Sequence, residues 1–152
     1  MSQKTTYLTS LSESYTTDRE GLGTIRWEKT KCYKWVRYDT GAGGVAAVVG
    51  NVCYYYTLDG YKNVVVTSDV SDSIAIGAGV LMAVAADGEY CWVQIKGVAT
   101  LTTALTAGAD GDALTPTGAG DGTLDVSGAV TDHVCAYAGD ISDKEIVCDF
   151  PF

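Results

Sequence analysis

The only histidine of the chain, His133, follows Asp132 and is the side chain whose type most directly suggests acid–base catalysis. A histidine general base needs a nucleophile within reach and a partner that orients its ring. The sequence contains no Ser/His/Asp order, nucleophile elbow, P-loop or dinucleotide fingerprint that would complete such a site. We therefore expect His133 to lie in a turn, bonded to the backbone, and we predict no catalytic residue and no enzymatic activity.

Acidic residues spaced among glycines could bind a hard cation such as calcium, because such cations prefer oxygen-rich loops. Four aspartates have this setting: Asp110, Asp112, Asp121 and Asp125. The spaced acids and closing glutamate of an EF-hand are missing, and residues 120–125 form at most one partial copy of a calcium β-roll repeat. The pattern predicts solvated turn acids, with neither a metal nor a cofactor. No feature singles out a pair of carboxylates for glycoside hydrolysis.

The five cysteines are widely spaced along the chain: Cys32, Cys53, Cys91, Cys135 and Cys148. No C-x-x-C pair occurs, so the spacing of a zinc site or a redox motif is missing. The N-terminus lacks the apolar core of a signal peptide, and the most apolar run, residues 74–86, is too short to span a bilayer. We expect free, mostly buried thiols, synthesis in a reducing cytoplasm and no membrane partner.

Aromatic side chains concentrate in one part of the chain. Eight of the fifteen lie between residues 27 and 61: Trp27, Tyr33, Trp35, Tyr38, Tyr54, Tyr55, Tyr56 and Tyr61. Because side chains alternate along a strand, Tyr33, Trp35 and Arg37 share one face of the predicted strand 32–38, and Cys32, Lys34, Val36 and Tyr38 share the other. Tryptophan, tyrosine and arginine are the residue types enriched at interface hot spots.

These aromatic and basic residues predict a protein interface, with candidate residues Trp27, Tyr33, Trp35, Arg37 and Tyr38. Three alternatives stay open for the same region. The rings could stack on single-stranded nucleic acid, Trp27 or Trp35 could stack on a sugar, or the rings could simply fill the core of a β-protein.

Charge is distributed unevenly along the chain, whose formal net charge is −9. Residues 1–62 hold eight of the ten basic and six of the nineteen acidic residues, a charge of +2 that leaves −11 for residues 63–152. A body this acidic repels phosphates, so we predict no nucleic-acid partner.

The elements that position these residues are predicted to be short strands. Eighteen glycines, two prolines and abundant Thr, Val and Tyr are typical of strands joined by tight turns. Strand-like runs occupy residues 24–28, 32–38, 45–49, 52–58, 64–66, 81–85, 90–95, 134–137 and 145–150. Roughly ten short strands predict an all-β fold, a compact β-barrel or β-sandwich.

Four Asp-Gly dipeptides, at residues 59–60, 87–88, 110–111 and 121–122, favour turns because they readily supply positive φ angles. The first is predicted to form a hairpin between residues 53–56 and 64–66, and the second a hairpin between 81–85 and 90–95. Residues 1–20 are rich in Ser and Thr, which predicts an extended N-terminal arm that is mobile alone and ordered on a partner. Residues 21–152 are predicted to form a single all-β domain.

The order of segments from residue 22 onward resembles the capsid cement, or head decoration, proteins of tailed bacteriophages. The series runs through residues 21–24, 33–38 and 79–80, and its best match is Gly88-Glu89-Tyr90-Cys91-Trp92-Val93-Gln94-Ile95-Lys96-Gly97-Val98-Ala99. Residues 107–114 and 121–124 and a final apolar strand complete it.

The resemblance implies a β-barrel or sandwich on the outer surface of the phage head, made in the host cytoplasm, with the major capsid protein as partner. It also implies a homo-oligomer, with a trimer favoured, and neither catalysis nor a cofactor. The expected function is to bind the capsid and stabilise the shell, with the five candidate residues at the capsid or oligomer interface. The alternatives are a tail- or fibre-associated virion β domain and a carbohydrate-binding β-sandwich module.

Overall fold

A computed structural model describes residues 6–59 and 62–152. Ten strands form in these residues: β1 (Ile25–Glu28), β2 (Lys31–Tyr38), β3 (Val52–Tyr56), β4 (Val65–Thr67), β5 (Ser73–Leu81), β6 (Tyr90–Thr100), β7 (Ala113–Thr115), β8 (Asp125–Val126), β9 (Ala136–Asp140) and β10 (Glu145–Asp149). Two short 3₁₀ turns, Thr57–Asp59 and Val70–Asp72, are the helical elements among them. The all-β prediction is confirmed.

Five of the strands close on themselves. β2 pairs with β4 in parallel, and antiparallel pairings then lead from β4 to β3, from β3 to β5, from β5 to β6 and from β6 back to β2. The ring has no free edge of its own, because each of its strands is paired on both sides. Of the two predicted architectures, this closure corresponds to the barrel.

The long strand β6 connects the ring to the remaining sheet. Its first half, from Tyr90 to Lys96, pairs with β2, and its second half, from Lys96 to Thr100, pairs with β10. From there the sheet continues through β9 and β7 to β8, while β1 extends the other side from β2. None of the helical elements in the described part of the chain has the length and hydropathy to cross a membrane.

The main core lies inside the ring and beneath the extension. Alternate residues of β6 supply it, since Cys91, Val93 and Ile95 are fully buried within this cluster. Tyr38, Tyr54 and Tyr55 are buried in the same cluster, so tyrosine fills much of the interior. The hydroxyl of Tyr54 donates to the backbone oxygens of Gly120 and Thr123, which satisfies it inside the protein.

A second, aromatic cluster lies on the outside of the ring. It consists of Tyr33, Trp35 and Trp92, which project from β2 and β6 on the face opposite the main core. The two predicted faces of strand 32–38 are confirmed, because Cys32, Val36 and Tyr38 belong to the main core.

Several predicted elements differ from the structure. Residues 45–49 are not a strand but part of a turn-rich connection. The hairpin predicted between residues 81–85 and 90–95 is confirmed in its antiparallel pairing, since β5 pairs with β6 through Leu81 and Val93 and their connection turns at Asp87 and Gly88. Its first strand has other bounds, because β5 ends at Leu81 and residues 82–85 are not a strand. The predicted pairing of 53–56 with 64–66 is confirmed as β3 with β4, although Gly60 of its Asp-Gly turn lies outside the described residues.

Candidate functional site

The predicted interface residues divide into buried and exposed ones. Trp35 and Tyr38 have no exposed surface and Tyr33 is 5% exposed, whereas Trp27 is 46% exposed. A buried side chain cannot contact a partner without a change in the fold, so Tyr33, Trp35 and Tyr38 are corrected from interface residues to packing residues. Trp27 and Arg37 stay accessible, and their place at an interface stays a prediction.

Residues 6–20 cover the aromatic cluster formed by Tyr33, Trp35 and Trp92. The backbone of Tyr15 exchanges two hydrogen bonds with that of Tyr90, at 2.9 and 2.8 Å, which attaches the segment to the start of β6. The rings of Tyr7 and Tyr15 pack against Trp92 and Trp35. Residues 6–20 of the predicted arm are therefore ordered against their own domain, without a partner. Residues 1–5 of the arm lie outside the described residues.

Both buried indole N–H groups of the cluster donate to this covering segment. Trp92 Nε1 donates to the hydroxyl of Thr9 at 2.8 Å, and Trp35 Nε1 donates to the carboxylate of Asp18, also at 2.8 Å. The hydroxyl of Thr9 in turn donates to Glu20. A buried donor without an acceptor is costly, so these bonds make the segment part of the folded structure.

Lys34 lies on the inward face of β2 and is 4% exposed. Its Nζ donates to the hydroxyl of Tyr55 and to the backbone oxygen of Asn63, both at 2.8 Å. Burial lowers the pKa of Lys34 and raises that of Tyr55. The two hydrogen bonds satisfy the buried ammonium within the protein.

A groove of about 370 Å³ lies where the end of β2 and the first residue of β6 meet the beginning of β4. Arg37, Lys62 and Asp59 supply its charged groups, and the rings of Tyr56 and Tyr90 line it together with Leu22, Leu58, Val64 and Val65. Of these residues, sequence reasoning singled out Arg37 as a site. The others come from distant segments that no local pattern brings together.

A row of exposed apolar side chains crosses the outer face of β6, β10 and β9. Val98 is directly opposite Val147, and Val147 is opposite Tyr137. Their exposed fractions are 47%, 43% and 45%. Directly opposed residues lie about 5 Å apart at Cβ, so the three form one continuous strip.

Charged groups border this apolar row. Lys96 forms an ion pair with Asp149 at 2.7 Å one step along the same face, and its Nζ lies 4.9 Å from the ring of Phe152. Sequence reasoning missed the row. The available signal was Val147, an apolar residue at an outward position of the otherwise alternating strand 145–149.

The aspartates that suggested a cation instead hold turns. Asp110 accepts from the Ile141 amide, Asp121 from the Val70 amide and Asp112 from the Ala109 amide, at 2.8 to 2.9 Å. Within the described residues no group of three or more His, Cys, Asp or Glu side chains could hold a metal ion. Backbone capping therefore accounts for these three acids.

His133 differs from the prediction of a turn histidine bonded to the backbone. Its Nδ1 is buried without a hydrogen-bond partner in the described part of the chain, and burial lowers its pKa. All five cysteines are buried and free, as expected. Burial raises the pKa of each thiol, to about 11 for Cys32 and about 12 for Cys91 and Cys148, which disfavours the reactive thiolate.

Comparison with protein-family models, with curated proteins and with solved structures finds no match to this chain.

Proposed function

We propose that this protein is a structural virion component that binds the outer surface of a bacteriophage capsid and stabilises the shell. The proposal starts from the resemblance of residues 22–152 to head decoration proteins and is supported by the all-β architecture. The observation that carries it is the exposed row of Val98, Val147 and Tyr137. Adjacent exposed apolar side chains on a rigid sheet are typical of surfaces that bind other proteins.

The row suits extended contact rather than a reaction. It lies on three antiparallel strands whose backbone groups are already paired, so docking a flat partner surface needs little rearrangement. The ion pair of Lys96 and Asp149 at its border resembles the polar rim that surrounds the apolar centre of an interface. We assign this face to the contact with the major capsid protein.

The acidic charge suits a protein that is made in many copies. Residues 63–152 carry −11, and their turn acids at 110, 112, 132, 140 and 143 leave the molecule strongly anionic. Like charge keeps copies soluble at the high concentration at which an abundant virion protein is made. A homo-oligomer, with a trimer favoured, is part of the proposal and follows from the family resemblance alone.

The test is retention on capsids that lack the protein. We expect the double variant Val98→Asp/Val147→Asp to lose most of its binding in co-sedimentation, because it places two charges at the centre of the apolar row. The matched control is Val84→Asp/Val130→Asp, which changes two exposed valines in connecting loops.

Both variants alter exposed positions, so circular dichroism should show the native fold in each. Equal retention of the two variants would reject this face as the contact surface. Failure of the unaltered protein to bind any capsid of the phage that encodes it would reject the proposed function itself.

A further inference from the structure

We propose that the groove beside Arg37 binds a carboxylate carried on an apolar body. The groove is formed by Leu22, the end of β2, the beginning of β4, the first residue of β6 and residues 56–62 except the undescribed residues 60 and 61. It lies at the opposite end of β6 from the apolar row, ~25 Å away along the strand. The proposal is therefore independent of the capsid contact.

The backbone of Arg37 is held on both sides. Arg37 pairs with Val65 of β4 on one side and with Tyr90 of β6 on the other. Its side chain is partly buried. Within the described residues its guanidinium has neither a hydrogen bond nor an ion pair. A guanidinium presents five donors, and partial burial without an acceptor is unfavourable, so a bound oxyanion would stabilise it.

The nearby acid does not fill that role. The carboxylate of Asp59 accepts from the backbone amides of Val64 and Val65 at 2.9 and 3.2 Å, which ties it to the start of β4. Lys62 adds a second cation, and its ammonium also has no ion pair within the described residues. With Arg37 and Lys62 positive and Asp59 negative, the groove has a formal charge of +1, in a chain whose net charge is −9.

This charge selects the kind of anion. A carboxylate carries one negative charge and matches the planar guanidinium through two parallel hydrogen bonds. A phosphate monoester carries up to two negative charges near neutral pH and would also face the carboxylate of Asp59. Both anions match the guanidinium, and the repulsion from Asp59 is weaker for the singly charged carboxylate, which is therefore the anion that we propose.

The walls select what the carboxylate is attached to. Leu22, Val64 and Val65 are aliphatic, and Tyr56 and Tyr90 present aromatic rings to the same space. Small-ligand sites combine such apolar walls with a few charged groups that fix orientation. Both a free aryl or alkyl carboxylic acid and a glutamate side chain between apolar residues of a polypeptide provide this chemistry.

The test is an NMR titration of the ¹⁵N-labelled full chain with 3-phenylpropionate and, separately, with the blocked peptide acetyl-Leu-Glu-Leu-amide. Each probe has a matched uncharged control, 3-phenylpropionamide and the Gln peptide, and inorganic phosphate is the competing anion. We expect saturable shifts at Arg37, Val65 and Tyr90 with the carboxylates and not with the amides. Tighter binding of the peptide would identify a polypeptide side chain as the source, and tighter binding of the free acid a small molecule.

Variants locate the binding. Arg37→Gln should weaken it by about tenfold or more, the loss expected for a charge-assisted hydrogen bond. Lys96→Gln, which removes the same charge six residues along β6 from Tyr90, should change it less than about twofold, because screening weakens distant charges. If Arg37→Gln alters the whole spectrum, Lys62→Gln at an exposed position makes the same test.

Four results would overturn the proposal. They are equal binding of the amides, tighter binding of phosphate than of either carboxylate, unchanged affinity in both groove variants, and no saturable shift with either carboxylate.

Discussion

At the residue scale, the buried aromatic cluster depends on polar atoms that the covering segment supplies. Trp35 and Trp92 contact each other with ring centroids 5.2 Å apart, and each indole N–H finds its acceptor in residues 6–20. The guanidinium of Arg26 lies 4.7 Å from the ring centroid of Tyr7 and donates to the backbone oxygen of Thr9. Individual hydrogen bonds of this kind hold the segment in place.

The variant Thr9→Val tests one of these bonds. Valine keeps the shape of threonine but leaves the buried N–H of Trp92 without its acceptor, which should lower the free energy of unfolding by about 1–3 kcal/mol. Urea denaturation followed by tryptophan fluorescence measures the change. The control Thr17→Val, at an exposed position of the same segment, should stay within about 0.5 kcal/mol of the unaltered protein. Equal stability of the two variants would show that the bond contributes nothing.

At the element scale, the sequence predicts the strands whose own pattern alternates and misses those set by distant contacts. β10 alternates between buried and exposed positions, so its faces follow from the residues alone. β2 is buried on both faces, and its two faces are predicted only from the alternation that any strand imposes. β5 begins eight residues earlier than predicted, because glycines 77 and 79 within it suggest a turn when read locally. The covering of Trp35 and the groove at Arg37 could not be predicted, since both join segments that are far apart in the chain.

Gly77 shows why glycine occurs within β5. A Cβ at this position would lie 2.7 Å from the sulfur of Cys135 and 2.8 Å from the ring of Phe150, closer than such atoms pack. Gly77→Ala should therefore destabilise the protein by about 1–3 kcal/mol through overpacking. Gly128→Ala, where a Cβ meets no atom within 4 Å, is the matched control. Thermal unfolding of both variants measures the difference, and a Gly77→Ala variant as stable as the control would contradict the close packing of β5 on Phe150.

At the scale of the whole molecule, this small protein buries many cysteine thiols and tyrosine hydroxyls, which are weak acids. Burial raises the pKa of all five thiols, and it raises the pKa of Tyr38 to about 12. These groups keep their protons in the folded protein at a pH where the unfolded chain has lost them. Lys34 has the opposite effect on stability. Burial lowers its pKa, so the folded protein loses this buried charge more readily than the unfolded chain as pH rises. The thiols and tyrosines outnumber this single lysine.

Stability should therefore fall in alkali. The thiol contribution is fully present below about pH 8.5, the ordinary pKa of cysteine, and is lost as pH rises through the folded pKa values of about 11 to 12. Each buried thiol contributes a slope of up to about 1.4 kcal/mol per pH unit in this window. Urea denaturation under reducing conditions at pH 7.5, 9 and 10.5 measures the effect. We expect Cys91→Ala to show a shallower decline, and a stability that is constant over this range would contradict the burial of the thiols.

The faces of the molecule have distinct roles in this account. The covering segment belongs to the fold, the groove at Arg37 is proposed to take a carboxylate, and the row of Val98, Val147 and Tyr137 is proposed to meet the shell. The central proposal is that the protein is a stoichiometric part of a capsid surface.

The most direct test of that proposal is the copy number of the polypeptide in purified virions of a phage whose genome carries this sequence, measured by quantitative mass spectrometry against the most abundant shell protein. The account predicts one copy per shell subunit or a simple fraction of that ratio. A handful of copies per particle would place the protein in the tail instead, and its absence from the particle would contradict the claim altogether.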